Sequence, residues 1–263
     1  MKSRMGKLAA IVCGCVMASA VCMAAQDREA NSKQLIAEAE AELVPFETVM
    51  WHKGIEIEGQ ARIPTDEIEE WKAKLRGLFG APIEKTNNDR YLVDPRGFAL
   101  GKRTRLRNRI KETKGELWRG ELFPAIVATS ETEGTEQEPD ETEHTIEIVT
   151  NRCSYNAVVG NNQLEIVLDQ VQLIGRNGQP ICFTCIEVEH KGTVDGTEIT
   201  VKDAIMTVAR TMSDIDLPPT EPAIGKLRAA LEHLNPQLAS KYATERLSPG
   251  AAAKVMRGAG SPQ

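Results

Sequence analysis

The stretch Arg103-Thr104-Arg105-Leu106-Arg107-Asn108-Arg109-Ile110 sets an arginine at every second position. Alternate side chains of a β-strand share a face, so the run predicts a row of four guanidiniums roughly 7 Å apart, with Leu106 and Ile110 facing the other way. Like charges at that spacing repel by about 2 kcal/mol per pair at an effective dielectric near 20. Such a row needs bulk water or a polyanion, and arginine's planar fork matches phosphate oxygens.

Working outward, other segments alternate in the same way but carry the opposite sign. In His52 to Ile63, the apolar Ile55, Ile57, Ala61 and Ile63 alternate with Glu56, Glu58, Gln60 and Arg62. In Gln163 to Leu173, Glu165 and Asp169 share a face opposite Leu164, Ile166 and Leu168. In Ile181 to Lys191, Glu187 and Glu189 stand opposite Ile186 and Val188. An ordinary antiparallel sheet with one wet face would alternate too. A wet face usually mixes its charges, however, and here one strand is arginine and three are carboxylate. That segregation points to a closed barrel with the charged faces inward, arginines toward an anion and paired carboxylates toward Mg²⁺ or Mn²⁺.

Further strands are expected at Tyr91 to Asp94, Phe98 to Ile110 (around a Pro95-Arg96-Gly97 turn), Glu116 to Ala128 and Thr145 to Val158. Helices are expected over residues 30 to 45, from Thr65 as N-cap to Phe79, over Val201 to Met212 and Glu221 to Leu234, with a short one over Leu238 to Arg246. The fold class is therefore α+β, with antiparallel strands and flanking helices. Residues 131 to 143 hold seven acids and no base and read as a flexible insertion. The stretch from 247 to 263, small and Gly/Pro-bearing, reads as a disordered tail.

Residues 1–25 have the form of an export signal: Lys2, Arg4 and Lys7 precede an apolar run, and Met23-Ala24-Ala25 offers a cleavage site. An uncleaved signal anchor is the alternative, although the apolar run is short for a stable span. A lipoprotein reading at Cys15 ranks lower. Without this segment the chain holds 29 basic and 38 acidic residues, a net of −9. That balance argues against nonspecific nucleic-acid binding and makes the clustered arginines more telling. Cys153, Cys182 and Cys185 remain; a disulfide from Cys153 to one of the others, a redox pair, and free thiols all stay open. No Walker loop or GxGxxG occurs, and the four histidines form no hydrolase motif.

The order of elements resembles the CYTH superfamily, the triphosphate tunnel metalloenzymes. The family's ExExK reads Glu56-Ile57-Glu58-Gly59-Gln60. Its tyrosine-aspartate and LRIR segments are similar to Tyr91-Leu92-Val93-Asp94 and Leu106-Arg107-Asn108-Arg109. A strand ending Leu168-Asp169, a glycine turn, the Glu187-Val188-Glu189 strand and Ser240-Lys241 follow in order. The resemblance spans roughly 51 to 246, after a helical segment at 26 to 50, and implies an eight-stranded antiparallel β tunnel (a closed barrel). It implies Mg²⁺ or Mn²⁺ held by Glu56, Glu58, Asp169, Glu187 and Glu189. Phosphates would be clamped by Arg107 and Arg109, with Lys241 and Arg152 contributing. Arg105 joins by parity, Arg62 as stand-in for the lysine that Gln60 replaces. Glu58 and Arg107 would carry catalysis.

Two departures accompany the resemblance. Glu116-Leu117-Trp118-Arg119 occupies the region where the family offers a lysine. Arg152 shares parity with Ile146 and Ile148, so its role requires a bulge. The activity expected is that of an exported, metal-dependent phosphohydrolase acting on a small phosphate-chain substrate, inorganic tripolyphosphate foremost. The alternative is a non-catalytic polyphosphate or organic-anion binding module. Adenylyl cyclase activity fits the family but suits an exported protein poorly.

Overall fold

The structure is a computed structural model that describes residues 38, 40–99, 102–108, 110–136, 145–174, 178–217, 219–220, 225–241 and 247–259. The chain divides into two compact units, Met1–Glu42 and Leu43–Gln263. In the first, residues 38 and 40–42 are described and helical. The export signal expected at 1–25 lies outside the described residues. All that follows concerns the second unit.

Eight antiparallel strands form a ring: β1 (Ile55–Ile63), β2 (Ile83–Leu92), β3 (Lys102–Arg107), β4 (Ile110–Arg119), β5 (Ile126–Glu136), β6 (Thr145–Val159), β7 (Asn162–Ile174) and β8 (Pro180–Thr193). The order around the ring is β1-β5-β4-β3-β2-β6-β7-β8, and β8 pairs back onto β1, closing the barrel. Closure leaves no strand edge unpaired, which a sheet of this length would otherwise have to protect.

The outer face is clothed by helices. α1 (Ile68–Phe79) lies on β6, and α3 (Val201–Asp214) lies on β1 and β8. Thr200 starts α3 with a capping box: its hydroxyl accepts from the Asp203 backbone N–H, and Asp203 accepts from that of Thr200. Ile205, Val208 and Met212 of this helix are buried, as are Ile57, Ile186 and Val188 beneath it. Gly59 on β1 is what lets α3 come so close. A Cβ at this position would lie 2.2 Å from Met212 Sδ and 2.9 Å from Val208 Cγ1.

The inner face changes character along its length. Ile148, Val171, Leu173 and Phe183 share a buried apolar cluster with Leu227, Ala230 and Leu231 of α4 (Lys226–Leu234). Val171 stands two residues from Asp169 on β7, and Ile148 stands four from Arg152 on β6, so these apolar side chains share the charged parity. The conflict foreseen for Arg152 therefore needs no bulge. One inner face is apolar where α4 packs and charged beyond it.

Several expectations are corrected. Phe98 to Ile110 is not one strand: Pro95–Ala99 forms a short helix, α2, and Asn108 turns at φ 50° between β3 and β4. Ile110 consequently lies opposite Arg107 in the ladder instead of facing away. Glu116 to Ala128 likewise divides into β4 and β5. The segment from 131 belongs to β5 as far as Glu136, paired with β4, while 137–144 lie outside the described residues. β2 starts at Ile83, eight residues before Tyr91, because its polar run conceals an inward face bearing Asn87 and Asp89. Thr65 opens a 3-10 turn, and α1 begins only at Ile68. The tail expected to be disordered contains α6 (Pro249–Ala259), following α5 (Pro236–Lys241). Ala252, Ala253 and Met256 of α6 are buried, and the helix packs on β4.

Cys153, Cys182 and Cys185 are free thiols. Cys185 pairs in register with Asp169 and so faces inward. Cys153, adjacent to the inward Arg152, faces out, and a bond between these two through the sheet is geometrically excluded.

Gly59→Ala is expected to lower the unfolding free energy by about 1–3 kcal/mol through overpacking against α3. Urea unfolding of the variant beside the parent measures this; an unchanged midpoint would refute the close contact.

Candidate functional site

Five strands present cations to the barrel interior, Lys85 of β2 and Lys191 of β8 among them. Arg103, Arg105 and Arg107 on β3 face inward beside Lys114 of β4, to which Arg103 is paired in register, and Arg152 enters from β6. Arg107 is held by Asp89 in a two-pronged contact: its Nε donates to Oδ1 and its Nη2 to Oδ2, both at 2.6 Å. Asp89 is 1 % exposed and also lies 3.8 Å from Arg105, which pairs with Glu112. The two guanidiniums beside Asp89 hold its carboxyl below the usual range despite burial. Asp89 thus fixes the arginine row from behind, and the remaining N–H groups of Arg107 serve the cavity it lines.

Carboxylates come from the opposite arc of the ring. Glu58 on β1 faces Glu189 of β8 directly, and Gln60 faces Glu187. Glu58 accepts from the Gln60 amide at 2.9 Å and from Arg103 Nη2 at 3.3 Å. Glu56 accepts from Lys114 and, at 3.0 Å, from Thr129.

Ionisation divides these acids into two groups. Burial, reinforced by repulsion from Glu56 and Glu187, raises the Glu58 pKa. Burial and Glu56 likewise push Glu189 up to about 8, outweighing its contact with the 40 %-exposed Lys191. Glu187 moves the other way: it is buried, but Lys226 and Arg152 more than offset that burial. Arg152 grips Asp169 at 2.8 and 2.6 Å and reaches Glu187 at 3.2 Å. Lys226, the first residue of α4, contacts Asp169 and lies 3.0 Å from Glu187 Oε1.

This division decides where a cation fits. Asp169, Glu187 and the Cys185 thiol converge to within 4.8 Å. Yet two built-in cations already neutralise that set, and burial raises the thiol pKa, disfavouring the thiolate that a metal needs. Glu58 and Glu189, buried and under-compensated, are the carboxylates that a divalent ion would stabilise, with Glu56 beside them. Of the five expected metal ligands, then, Glu58 and Glu189 are open to an oxygen-ligated cation, Glu56 is shared with Lys114, and Asp169 and Glu187 are committed to Arg152 and Lys226.

The remaining expected residues fall as follows. Arg105, Arg107 and Arg152 line the cavity. Arg62 does not: β1 carries it out to the surface, where its guanidinium sits 5.1 Å from the centre of the Phe183 ring, so it is no stand-in for the missing lysine. Arg109 lies outside the described residues. Lys241 ends α5, and its side chain is likewise not described. Arg119 lines the cavity but is paired with Glu116 at 2.8 Å.

Asp89, Lys114 and Lys226 are residues of this charged interior that the sequence reading misses. Lys114 is hidden by the misplaced strand break, since it lies only two residues before the Glu116 region taken for the family's lysine position. Lys226 gives no sequence signal at all, because its place depends on how α4 packs.

The resulting cavity measures about 250 Å³ and is lined by ten lysines and arginines and seven glutamates, while Asp89, Glu112 and Asp169 hold some of those cations from beyond the lining. Tyr91 is the one aromatic among the described lining residues.

No protein-family model matches the chain, and neither does any curated protein sequence. Among solved structures, the chain is similar to a Pyrococcus horikoshii protein at 17% identity and TM-score 0.43, over 68% of this chain and 99% of that one. It is similar to the Mimivirus capping enzyme triphosphatase at 11% identity and TM-score 0.41, over 70% and 97%. It is also similar to a Hippeastrum protein with a dominant triphosphatase activity at 14% identity and TM-score 0.41, over 70% and 98%. At these scores the side chains of the tunnel, not the likeness, decide what the site can do.

The raised Glu189 has a measurable consequence. The folded protein keeps its proton up to about pH 8, whereas the unfolded chain releases it near pH 4.5. Stability must therefore fall as pH rises through that interval. Buried His190, lowered to about 4, gives the opposite slope, but only below its ordinary value of 6.5. Without divalent metal, melting temperature is thus expected to decline from pH 6.5 to 8, and Glu189→Gln to flatten the decline. An identical slope in the variant would show that Glu189 is not the titrating group. The closed eight-stranded antiparallel ring is the architecture that the CYTH resemblance implies for this chain.

Proposed function

We propose that the tunnel is the active site of a metal-dependent phosphohydrolase acting on a short phosphate chain, inorganic tripolyphosphate foremost. The observation that carries this reading is the pairing of a row of cavity-lining arginines with two under-compensated carboxylates inside one small cavity. Its volume lies below the ~300–1,000 Å³ of pockets that bury drug-sized ligands. Among its described lining residues only Tyr91, Val127 and Leu227 offer apolar surface to a nucleobase. Both points favour a bare phosphate chain over a nucleotide.

In this reading Arg103, Arg105, Arg107 and Lys114 neutralise the chain and hold it against the carboxylate arc. Asp89 keeps Arg107 in one orientation, so its charge is preorganised instead of being reoriented on binding. A bound Mg²⁺ or Mn²⁺ supplies Lewis-acid polarisation and a more acidic water. Glu56, Glu58 and Glu189 would hold it. Glu58, its proton affinity raised, is the carboxylate suited to taking a proton from the attacking water.

A second reading, a binding module without turnover, is favoured by Gln60, which replaces the signature lysine with a neutral amide. Export of the chain is part of the proposal and rests on residues 1–25 alone.

Residues 26–263 are expected to release phosphate from tripolyphosphate with Mg²⁺ or Mn²⁺, faster than from ATP, and to stop on chelation. Glu58→Gln should cost about 10²–10⁴-fold if Glu58 handles the proton. Arg107→Ala should cost about 10²–10³-fold through lost charge stabilisation. Turnover unaffected by either change would refute the assignment, and tight tripolyphosphate binding without release would establish the second reading.

A further inference from the structure

Three carboxylates stand side by side on adjacent strands of the tunnel. In the ladders Glu189 of β8 lies directly opposite Glu58 of β1 on one side and Glu165 of β7 on the other. Like charges placed directly opposite each other destabilise a sheet. Glu58 meets Arg103, at 3.3 Å, while the other two share one ammonium. Lys191, two residues along β8 and on the same face as Glu189, contacts Glu189 Oε1 and lies 3.3 Å from Glu165 Oε2. Glu165 is held in place from β6, where the Ser154 hydroxyl donates to its Oε1 at 2.6 Å. Glu165, Glu189 and Lys191 all line the cavity. They sit near the start of β7 and the end of β8, remote from the strand ends where Val171 and Phe183 meet α4.

We propose that Lys191 is a resident counter-ion that occupies Glu189 and Glu165 in place of a divalent cation, so that metal enters only by displacing its ammonium. The proposal rests on the metal-binding reading of Glu58 and Glu189 above and adds the residue that sets the affinity. An ammonium carries half the charge of Mg²⁺ or Mn²⁺, and a divalent ion prefers carboxylate oxygens, so the metal is the stronger partner for this pair. Lysine suits a cation that must leave, because its charge is a single point on a flexible stem with no fork geometry to break. Exposure separates it from the other cations bound to tunnel acids. The Lys191 side chain is 40 % exposed, against 8 % for Lys226 and 10 % for Arg152 and Lys114. An exit to water is therefore open to Lys191 and closed to the inner three. Until metal arrives, the same ammonium keeps Glu165 and Glu189 from facing each other without a cation between them.

The test titrates Mn²⁺ by calorimetry into the full-length parent, Lys191→Met, Lys191→Gln and Lys85→Met, with melting temperatures taken with and without Mn²⁺. Lys85 lines the same cavity from β2, so its variant reports removal of a tunnel charge with the Glu189–Lys191–Glu165 contact intact. Both Lys191 variants are expected to bind Mn²⁺ about tenfold or more tightly than the parent, and Lys85→Met to change affinity by less than about threefold. Without Mn²⁺ the Lys191 variants should melt below the parent, and Mn²⁺ should raise their melting temperature by more than it raises the parent's. Equal Mn²⁺ affinity in the parent and the Lys191 variants overturns the displacement, and so does an equal gain in Lys85→Met. In either case metal-dependent phosphate release by the parent leaves the reading of the tunnel standing. If neither the parent nor any variant binds Mn²⁺, the metal-dependent reading falls together with the role of Lys191.

Discussion

Closing eight strands into a ring forces one parity of every strand into a space that little water can enter. In an open sheet the alternation of Glu56 and Glu58 with Ile55 and Ile57 would need no comment. Inside a closed barrel each of those carboxylates must find a counter-charge, because an ionised side chain without one is severely penalised by desolvation. The rest of the tunnel follows from that requirement. Glu56 takes Lys114, Asp89 takes Arg107, and Asp169 takes Arg152 together with Lys226.

The compensation is uneven, and the unevenness is where chemistry can occur. A ring in which every acid had its base would be an inert polar core, stable only to the extent that its geometry offset desolvation. Glu58 and Glu189 stand opposite each other with too little positive charge between them. The guanidiniums of β3 crowd together across the cavity from them. A divalent cation beside the first pair and a phosphate chain beside the arginines would relieve both imbalances at once.

Much of the barrel is legible in the sequence because period-two alternation survives where apolar residues mark the outer face, as Leu164, Ile166 and Leu168 do on β7. The signal fails where that face is itself polar. Glu84, Thr86 and Asn88 clothe the outside of β2, so the run Ile83–Leu92 offers no contrast between its faces. It fails again at turns made by a non-glycine residue. Asn108 adopts the left-handed region without announcing it, and the period-two arginine pattern runs straight across the bend. The inward acids of β1 and β8 can be picked out because strand parity is local. Lys114 and Asp89 escape because each lies in a strand whose limits the sequence blurs. Lys226 escapes because a helix has no register with a sheet, and only packing can bring its first residue to Glu187.

The contrast between Gln60 and Lys226 bears on how such a tunnel tolerates change. A cation supplied by a strand is held by the ladder on both sides and can move only with the barrel. A cation supplied by α4 is held by side-chain packing, which costs less to loosen than a β-ladder. The same net charge therefore sits on a more yielding support, with the carboxylates it serves unchanged. Beside the neutral Gln60, Glu187 thus takes its ammonium from α4, and that charge depends on how the helix packs.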